Sequence, residues 1–264
     1  MRVLALAHGL WFSGAQVVTL EFFKFMRSRV EFKVLTCEGA DSKFLDALGA
    51  ISIETYRVPC RTSSGYPILA IGQAQKLVEW TDVVWITDVE YSVAPRIKRI
   101  ENVPVVAHIH SYALVCTWWG AMYGLREVCA ARCSAWRIVG CKQGIDRELA
   151  RVGLLDGVRA GAYWSLDFGR GSLDYFRWKR IMDSVVDSVD VFVAVSNATR
   201  DVVVSHLPEV RDRVEVVYNP VEHRPWCYVS SLPGERGNYI FYAGGANLLK
   251  GPHVLLRAFK SLGE

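Results

Sequence analysis

Short apolar runs recur along the first half of the chain, and stretches with helical spacing separate them. Arg2–His8 is apolar almost throughout and stops at Gly9. Gln16–Met26 then sets Val17, Leu20, Phe23 and Phe25 near one helical stripe. Glu31–Cys37 and Ile51–Val58 read as the second and third strands, and Leu69–Trp80 as a helix. Asp82–Asp88 (DVVWITD) is a continuous apolar strand between carboxylates. A short helix runs from near Tyr91 to Ile100, and Val103–Ile109 is the next strand. Strands that are apolar on both faces and alternate with helices predict a parallel sheet covered on both sides. The class is α/β, an open, doubly wound, Rossmann-like sheet.

From Ser111 to about Arg180 the rhythm breaks. This stretch holds four cysteines and five of the nine tryptophans: Trp118, Trp119, Trp136, Trp164 and Trp178. Residues 126–180 carry eleven basic and six acidic residues, so they hold more than the whole positive excess of the chain. The α/β rhythm then resumes with a helix over Ser172–Val189, a strand over Asp190–Ser196 and a helix over Asn197–Leu207. Ser196 stands where a helix N-cap would stand. Arg213–Tyr218 is a further strand, running into Asn219-Pro220. Residues 222–238, with Pro225, Pro233, Gly234 and Gly237, have linker composition. A new unit then begins: a strand over Tyr239–Ala243, a turn at Gly244-Gly245 and a helix over Gly251–Leu262. One strand and one helix cannot bury a core. The expected organisation is therefore a Rossmann-like domain over 1–221 with a Cys/Trp/Arg-rich insertion at 111–180, a linker at 222–238, and an incomplete second domain at 239–264.

Composition narrows the class further. The chain has 264 residues, 51% hydrophobic and 22% charged. A chain of this size buries roughly 70–75% of its unfolded surface and needs no disulfide or metal to form a core. Disordered, collagen-like and small disulfide-stapled classes are excluded. No apolar run approaches the roughly 20 residues of a membrane span. The net charge of +4 is too mild to imply nucleic acid. The N-terminal MRVLALAHGL is followed at once by Trp11 and Phe12, with no small-residue cleavage site, so it reads as a buried strand and not a signal peptide. A cytoplasmic protein is expected. Arginine outnumbers lysine 22 to 9, which is compatible with a thermophile.

Three features carry candidate chemistry. Gly9–Gly14 (GLWFSG) lies between the first strand and helix, the turn where an open α/β sheet admits a ligand. It is neither a G-x-G-x-x-G fingerprint nor a Walker A loop, since Ala15-Gln16 stands where Lys-Ser/Thr is required. A glycine-lined approach to a sugar or phosphate at a helix N-terminus and a plain tight turn both fit. His108 and His110 are two apart and share one face of their strand, and His110 lies just past its carboxyl end, on the ligand-binding rim. Cys116, Cys129, Cys133 and Cys141 follow C-x12-C-x3-C-x7-C. Structural zinc usually shows two short pairs, and only Cys129/Cys133 qualifies. Zinc, disulfides and buried thiols stay open for these four.

Several segments together resemble glycosyltransferase family 4, the retaining nucleotide-sugar enzymes of the GT-B fold. Ser13-Gly14-Ala15-Gln16 is similar to the family's Gly-Gly-x-Glu opening. Val105–Ser111 (VVAHIHS) resembles its strand ending in histidine, at His110. The four clustered cysteines resemble a cysteine-bearing acceptor-side insertion found in part of the family. Asp190–Asp201 (DVFVAVSNATRD) and Val216–Glu222 (VVYNPVE) are close to two further segments. Tyr239–Phe259 resembles the start of the nucleotide-binding domain, with its Lys250-Gly251 pair.

The resemblance implies two Rossmann-like domains, the first binding the acceptor and the second the nucleotide of the donor. By residue, it implies Gly14 near the donor diphosphate or acceptor, His110 on the donor sugar as the catalytic-site histidine, and Gly244, Gly245 and Lys250 on the diphosphate. The donor would be a nucleotide-diphosphate sugar, and no cofactor would be required. The acceptor would be a glycan or a lipid-linked one. Trp118, Trp119 and the basic segment around them would face it, with peripheral membrane contact through anionic headgroups or stacking on sugar rings. There are two departures. Ala246 follows Gly245 where the family has arginine, and the sequence stops 14 residues past Lys250, before the family's pair of glutamates. The alternative expectation is a truncated, non-catalytic member that only binds acceptor. Nucleic-acid binding through 126–180 is a third and weaker alternative, and no nucleic-acid partner is expected.

Overall fold

Seven parallel strands of one sheet organise the chain. The computed structural model describes residues 1–63, 66–117, 120–129, 131–151, 175–222, 227, 239–244 and 250–262. The first strand, β1 (Arg2–Leu6), is buried from Val3 onward. It leads through a tight turn into α1 (Gly14–Met26), which lays Gln16, Thr19, Leu20 and Phe23 on the sheet. β2 (Glu31–Cys37) follows, then α2 (Ser42–Ala50) and β3 (Glu54–Val58). The Asp41 carboxylate starts α2 by accepting from the Lys43 backbone N–H at 2.8 Å.

Residues 60–69 form an antiparallel hairpin, β4 (Cys60–Ser63) and β5 (Tyr66–Leu69), pairing Cys60 with Leu69. A 3₁₀ turn at Ile71–Ala74 and the short α3 (Gln75–Trp80) come next. The sequence alone predicts one helix over Leu69–Trp80. Leu69 instead finishes a strand, and Gly72 favours a turn over helix interior. Cys37 and Cys60 form a disulfide, with Cα atoms 5.3 Å apart.

β6 (Val83–Ile86), α4 (Ala94–Ile100) and β7 (Val105–Ile109) continue the sheet. Within the insertion, a small hairpin of β8 (Met122–Tyr123) and β9 (Glu127–Val128) sits beside α5 (Ala135–Arg151). Gly124 in the hairpin and Gly144 on α5 meet there, and a Cβ on Gly144 would stand 2.6 Å from the Gly124 Cα. Helix α6 spans 175–188. Its Tyr175, Trp178, Met182 and Val185 recur at three- and four-residue spacing and all lie in the core. Each such side chain stabilises the fold by about 1.5–3 kcal/mol relative to exposure. Trp178, one of the five tryptophans of the 111–180 stretch, is therefore a core residue. Arg213 donates to the Val186 and Val189 carbonyls at 2.9 and 2.6 Å and closes the end of α6.

β10 (Val191–Ala194), α7 (Asn197–His206) and β11 (Val214–Val216) complete the sheet. The expected cap is present: the Ser196 hydroxyl accepts from the Thr199 N–H at 3.1 Å. The strand order is β3-β2-β1-β6-β7-β10-β11. This is a doubly wound α/β sheet, with its direction of winding reversing between β1 and β6. Leu4, Leu6, Val84, Ile86, Val105, Ala107, Ile109 and Phe192 point into the larger core on one face, and Ala5, Ala7 and Val34 meet Leu20, Phe23 and Phe44 on the other.

Residues 239–243 belong to no sheet among the described residues, although the sequence predicts a strand there. Among the described residues no strand lies beside it to pair with its backbone groups. The last helix, α8 (Pro252–Leu262), buries none of its residues, and Val254, Leu256, Phe259 and Leu262 are exposed. Its Arg257 reaches Glu148 of α5 at 3.1 Å. The second domain is thus incomplete in this chain. Among the described residues, no helix is long and apolar enough to cross a membrane.

Candidate active site

Where winding reverses, the connections after β1 and β6 leave in opposite directions and open a crevice beyond the strand ends. Four polar side chains meet on that rim. His8 follows β1, Asp88 and Glu90 follow β6, and His110 follows β7. The chain leaves β1 at Gly9, whose φ is +63°. A Cβ there would lie 2.8 Å from both Phe44 Cδ1 and Thr36 Oγ1, so only glycine makes this turn without displacing its neighbours. Trp11 and Phe12 are then left partly exposed at the rim, with the Trp11 ring 4.3 Å from that of His8.

The Ser13–Gln16 motif has a structural role. The Ser13 N–H donates to Gln16 Oε1 at 3.2 Å, and Gln16 Nε2 donates to Asp88 Oδ2 at 3.4 Å. The start of α1 is thereby tied to the end of β6. Gly14 opens α1, and nothing lies within 4 Å of the place a Cβ would take.

His8 sits between the two carboxylates. Its Nε2 is 3.5 Å from Asp88 Oδ2 and 3.9 Å from Glu90 Oε1. Its backbone N–H donates to Glu90 Oε1, and its Nδ1 accepts from the Leu10 N–H at 2.9 Å. That acceptance places the proton of the neutral ring on Nε2, facing the acids. Burial opposes charge on His8, but hydrogen bonding to Asp88 and attraction by Glu90 and Asp88 outweigh it and raise its pKa. Glu90 is fully buried; burial, with Asp88 adding to it against the pull of His8, pushes its carboxyl up to about 7.

His108 on β7 and His110 just past its end behave differently from His8. Their rings are 4.2 Å apart on the face toward α1. Burial first, then His110, drives His108 down to about 3, so it is neutral. It lines an apolar groove with Phe22, Trp85, Val106 and Val193. Burial also lowers His110, with Asp88 pulling the other way. Nε2 of His108, Nε2 of His110, Oγ of Ser111 and Oε2 of Glu90 are buried atoms without a hydrogen-bond partner among the described residues.

The structure brings Gly14, through its helix, and His110 to this one rim. Gly244 lies under the Tyr242 ring, and Lys250 is exposed, its carbonyl accepting from the Tyr242 hydroxyl at 3.0 Å. No hydrogen bond or ion pair joins Gly244 or Lys250 to the rim among the described residues. Gly245, Trp118 and Trp119 lie outside the described residues. His8, Asp88 and Glu90 were not singled out from the sequence. Their only signal there is a polar residue that ends an apolar strand.

Cys116, Cys129, Cys133 and Cys141 are unpaired thiols. The Gly124 N–H donates to Cys141 Sγ at 3.4 Å, and Arg137 donates to Cys129 Sγ at 3.5 Å. Burial, followed by the neighbouring Cys116, Cys129 and Cys141, pushes the Cys133 thiol up to about 12. Among the described residues, no three His, Cys, Asp or Glu side chains are arranged to hold a metal ion.

Most of this chain, residues 12–224, matches the sequence profile of Glycosyltransferase Family 4. The chain belongs to glycosyltransferase family 4. Among curated proteins, none matches the sequence. Solved structures that are similar include HepE of Anabaena in complex with UDP, at 13% identity and a TM-score of 0.47, covering 84% of this chain and 45% of that one. The lipopolysaccharide outer core galactosyltransferase WaaB in its apo form is 11% identical with a TM-score of 0.40, covering 85% and 47%. MurG of Acinetobacter baumannii is 16% identical with a TM-score of 0.31, covering 42% and 35%. This family 4 chain spans less than half the length of each of these three proteins.

Proposed function

We propose that this chain is the acceptor-side part of an enzyme that moves a sugar from a nucleotide-diphosphate sugar to a glycan or lipid-linked acceptor, with retention at the anomeric carbon. The observation that carries the reading is the rim itself. His110, half-buried and held toward its neutral form by its surroundings, ends β7 beside the switch point on the rim that also carries the N-terminus of α1, and its Nε2 has no hydrogen-bond partner among the described residues.

His110 would hydrogen-bond the donor sugar through that nitrogen without adding charge. The N-terminal end of α1, with open space at Gly14, favours the anionic diphosphate because its backbone N–H groups and dipole point there. Gly244, Gly245 and Lys250 would hold the diphosphate from the second domain. The Lys250 ammonium would bind more strongly as the leaving group gains charge. The diphosphate is itself the leaving group, so transfer calls for no further cofactor. The enzyme would work in the cytoplasm, with the basic 126–180 segment against a membrane surface if the acceptor is lipid-linked.

The test uses the full-length gene product with a panel of nucleotide-sugars, following donor consumption and the anomeric proton of the product by NMR. Consumption of one donor with retained configuration is expected, falling at least about a hundredfold in kcat/KM in His110→Ala. No consumption of any donor overturns the reading. A second reading is acceptor binding without transfer by these 264 residues, supported by the last helix, α8, which buries none of its residues. Titration with nucleotide diphosphates separates the two, since micromolar affinity of this chain argues against the second.

A further inference from the structure

The Gly9–Gly14 loop leaves the sheet at His8, and the contacts of that residue give it a role. We propose that His8 is a positioning residue for the donor: together with Asp88 it holds both ends of the Gly9–Gly14 loop, so that the N-terminus of α1 meets the diphosphate in one fixed geometry. This role rests on the reading of the rim as a nucleotide-sugar site.

The polar atoms of His8 are each directed at a different part of the fold. Its backbone N–H donates to Glu90, beyond β6. Its carbonyl accepts from the Cys37 N–H at 3.2 Å and from the Thr36 hydroxyl at 3.0 Å, both on β2. Nδ1 accepts from the Leu10 N–H at 2.9 Å, and Nε2 faces Asp88 Oδ2 at 3.5 Å. The residue is fully buried. Turning the ring would strand a buried donor on Leu10, which is costly away from water.

The loop departs from this junction and returns to it. At the outgoing end, Nδ1 holds Leu10, and the Trp11 ring lies 4.3 Å from the imidazole. At the returning end, Gln16 Oε1 accepts from the Ser13 N–H at 3.2 Å. Gln16 Nε2 donates at 3.4 Å to Asp88 Oδ2, the same oxygen that faces His8. Gln16 and Asp88 are 1% and 6% exposed. One carboxylate oxygen therefore joins His8 to the first turn of α1. Nothing packs within 4 Å of the place a Cβ would take on Gly14, so the loop depends on these tethers there.

A diphosphate at the start of a helix is bound by backbone N–H groups. Those donors work only where the backbone is held, since a misplacement of about 1 Å can cost about a hundredfold in rate. His8 and Asp88 are buried behind the loop and act through it. They are positioning residues, and the ligand meets the backbone that they hold.

Two arms test the role. Amide exchange is measured on this chain, and donor kinetics on the full-length gene product. Exchange at Leu10 in His8→Phe, which keeps a ring, and over Ser13–Gln16 in Asp88→Ala is expected to rise about tenfold, the loss of one hydrogen bond. Donor KM in both variants is expected to rise about tenfold to a hundredfold, with a smaller change in kcat. Asp88→Asn keeps an oxygen for Gln16 and His8, and should bring KM back to within about threefold of wild type. A merely structural role would lower the melting temperature of the variants, leave KM unchanged below it, and not separate Asn from Ala. Unchanged exchange, unchanged KM, or an Asn variant as impaired as Ala overturns the inference. If His8→Phe does not fold, the two Asp88 variants decide it. Absence of donor use by the wild-type product defeats the glycosyltransferase reading, and the exchange arm still decides whether His8 and Asp88 hold the loop.

Discussion

Replacing Glu90 by Gln should make the folded chain more stable at neutral pH, and the size of the gain follows from burial. The Glu90 carboxyl is fully buried and raised from 4.5 to about 7, chiefly by desolvation. A shift of that size corresponds to about 3 kcal/mol of differential stability. The folded state binds the proton more tightly than the unfolded state. The contribution is therefore fully present below about pH 4.5, declines as pH rises toward 7, and is absent above it. Gln is isosteric and offers an oxygen to the His8 N–H that Glu90 now accepts. Relative to wild type, Glu90→Gln should gain nothing near pH 4.5 and up to about 3 kcal/mol at pH 7.5. Groups remote from Glu90 cancel in the difference, whereas His8 loses the attraction of Glu90 in the variant, which offsets part of the gain. Urea unfolding followed by circular dichroism across this range gives the comparison. Parallel pH profiles, differing by under about 0.5 kcal/mol, would refute the claim that Glu90 is held at a raised pKa by burial.

Three further outcomes are expected. Gly9→Ala should cost about 1–3 kcal/mol, read as a lowered melting temperature, because its methyl would meet Phe44 and Thr36 at 2.8 Å in a left-handed backbone. His108→Phe should flatten the acid limb of stability: the folded state holds His108 near 3, so wild type loses stability as pH falls from 6.5 toward 3, and the phenyl ring does not titrate. Cys133, pushed up to about 12, should react with iodoacetamide at least about a hundredfold more slowly at pH 8 than a free cysteine, as measured by peptide mass spectrometry.

The sheet was legible because its strands are buried on both faces. Uninterrupted runs such as VVWI at Val83–Ile86 and VFVA at Val191–Ala194 have few other uses. The stripe on α6 was equally clear. The hairpin over Cys60–Leu69 was not, since its strands are four residues each and one of them contains Pro67. The site was half legible. His110 and the Ser13–Gln16 turn carried family signals. His8, Asp88 and Glu90 did not, because what joins them is the adjacency of β1 to β6, 77 or more residues apart in sequence. The Cys37–Cys60 bond is of the same kind, since only the fold brings those two positions to 5.3 Å.

The central claim is that substrates occupy the rim formed by the ends of β1, β6 and β7. Backbone amide hydrogen exchange tests it most directly, measured on the full-length gene product with and without the donor it hydrolyses and a sugar acceptor. Slowed exchange is expected over His8–Gln16, Asp88–Glu90 and His110–Tyr112. Protection confined to other surfaces, such as the groove lined by Lys33, Tyr56 and Trp80, with the rim unchanged, would contradict it.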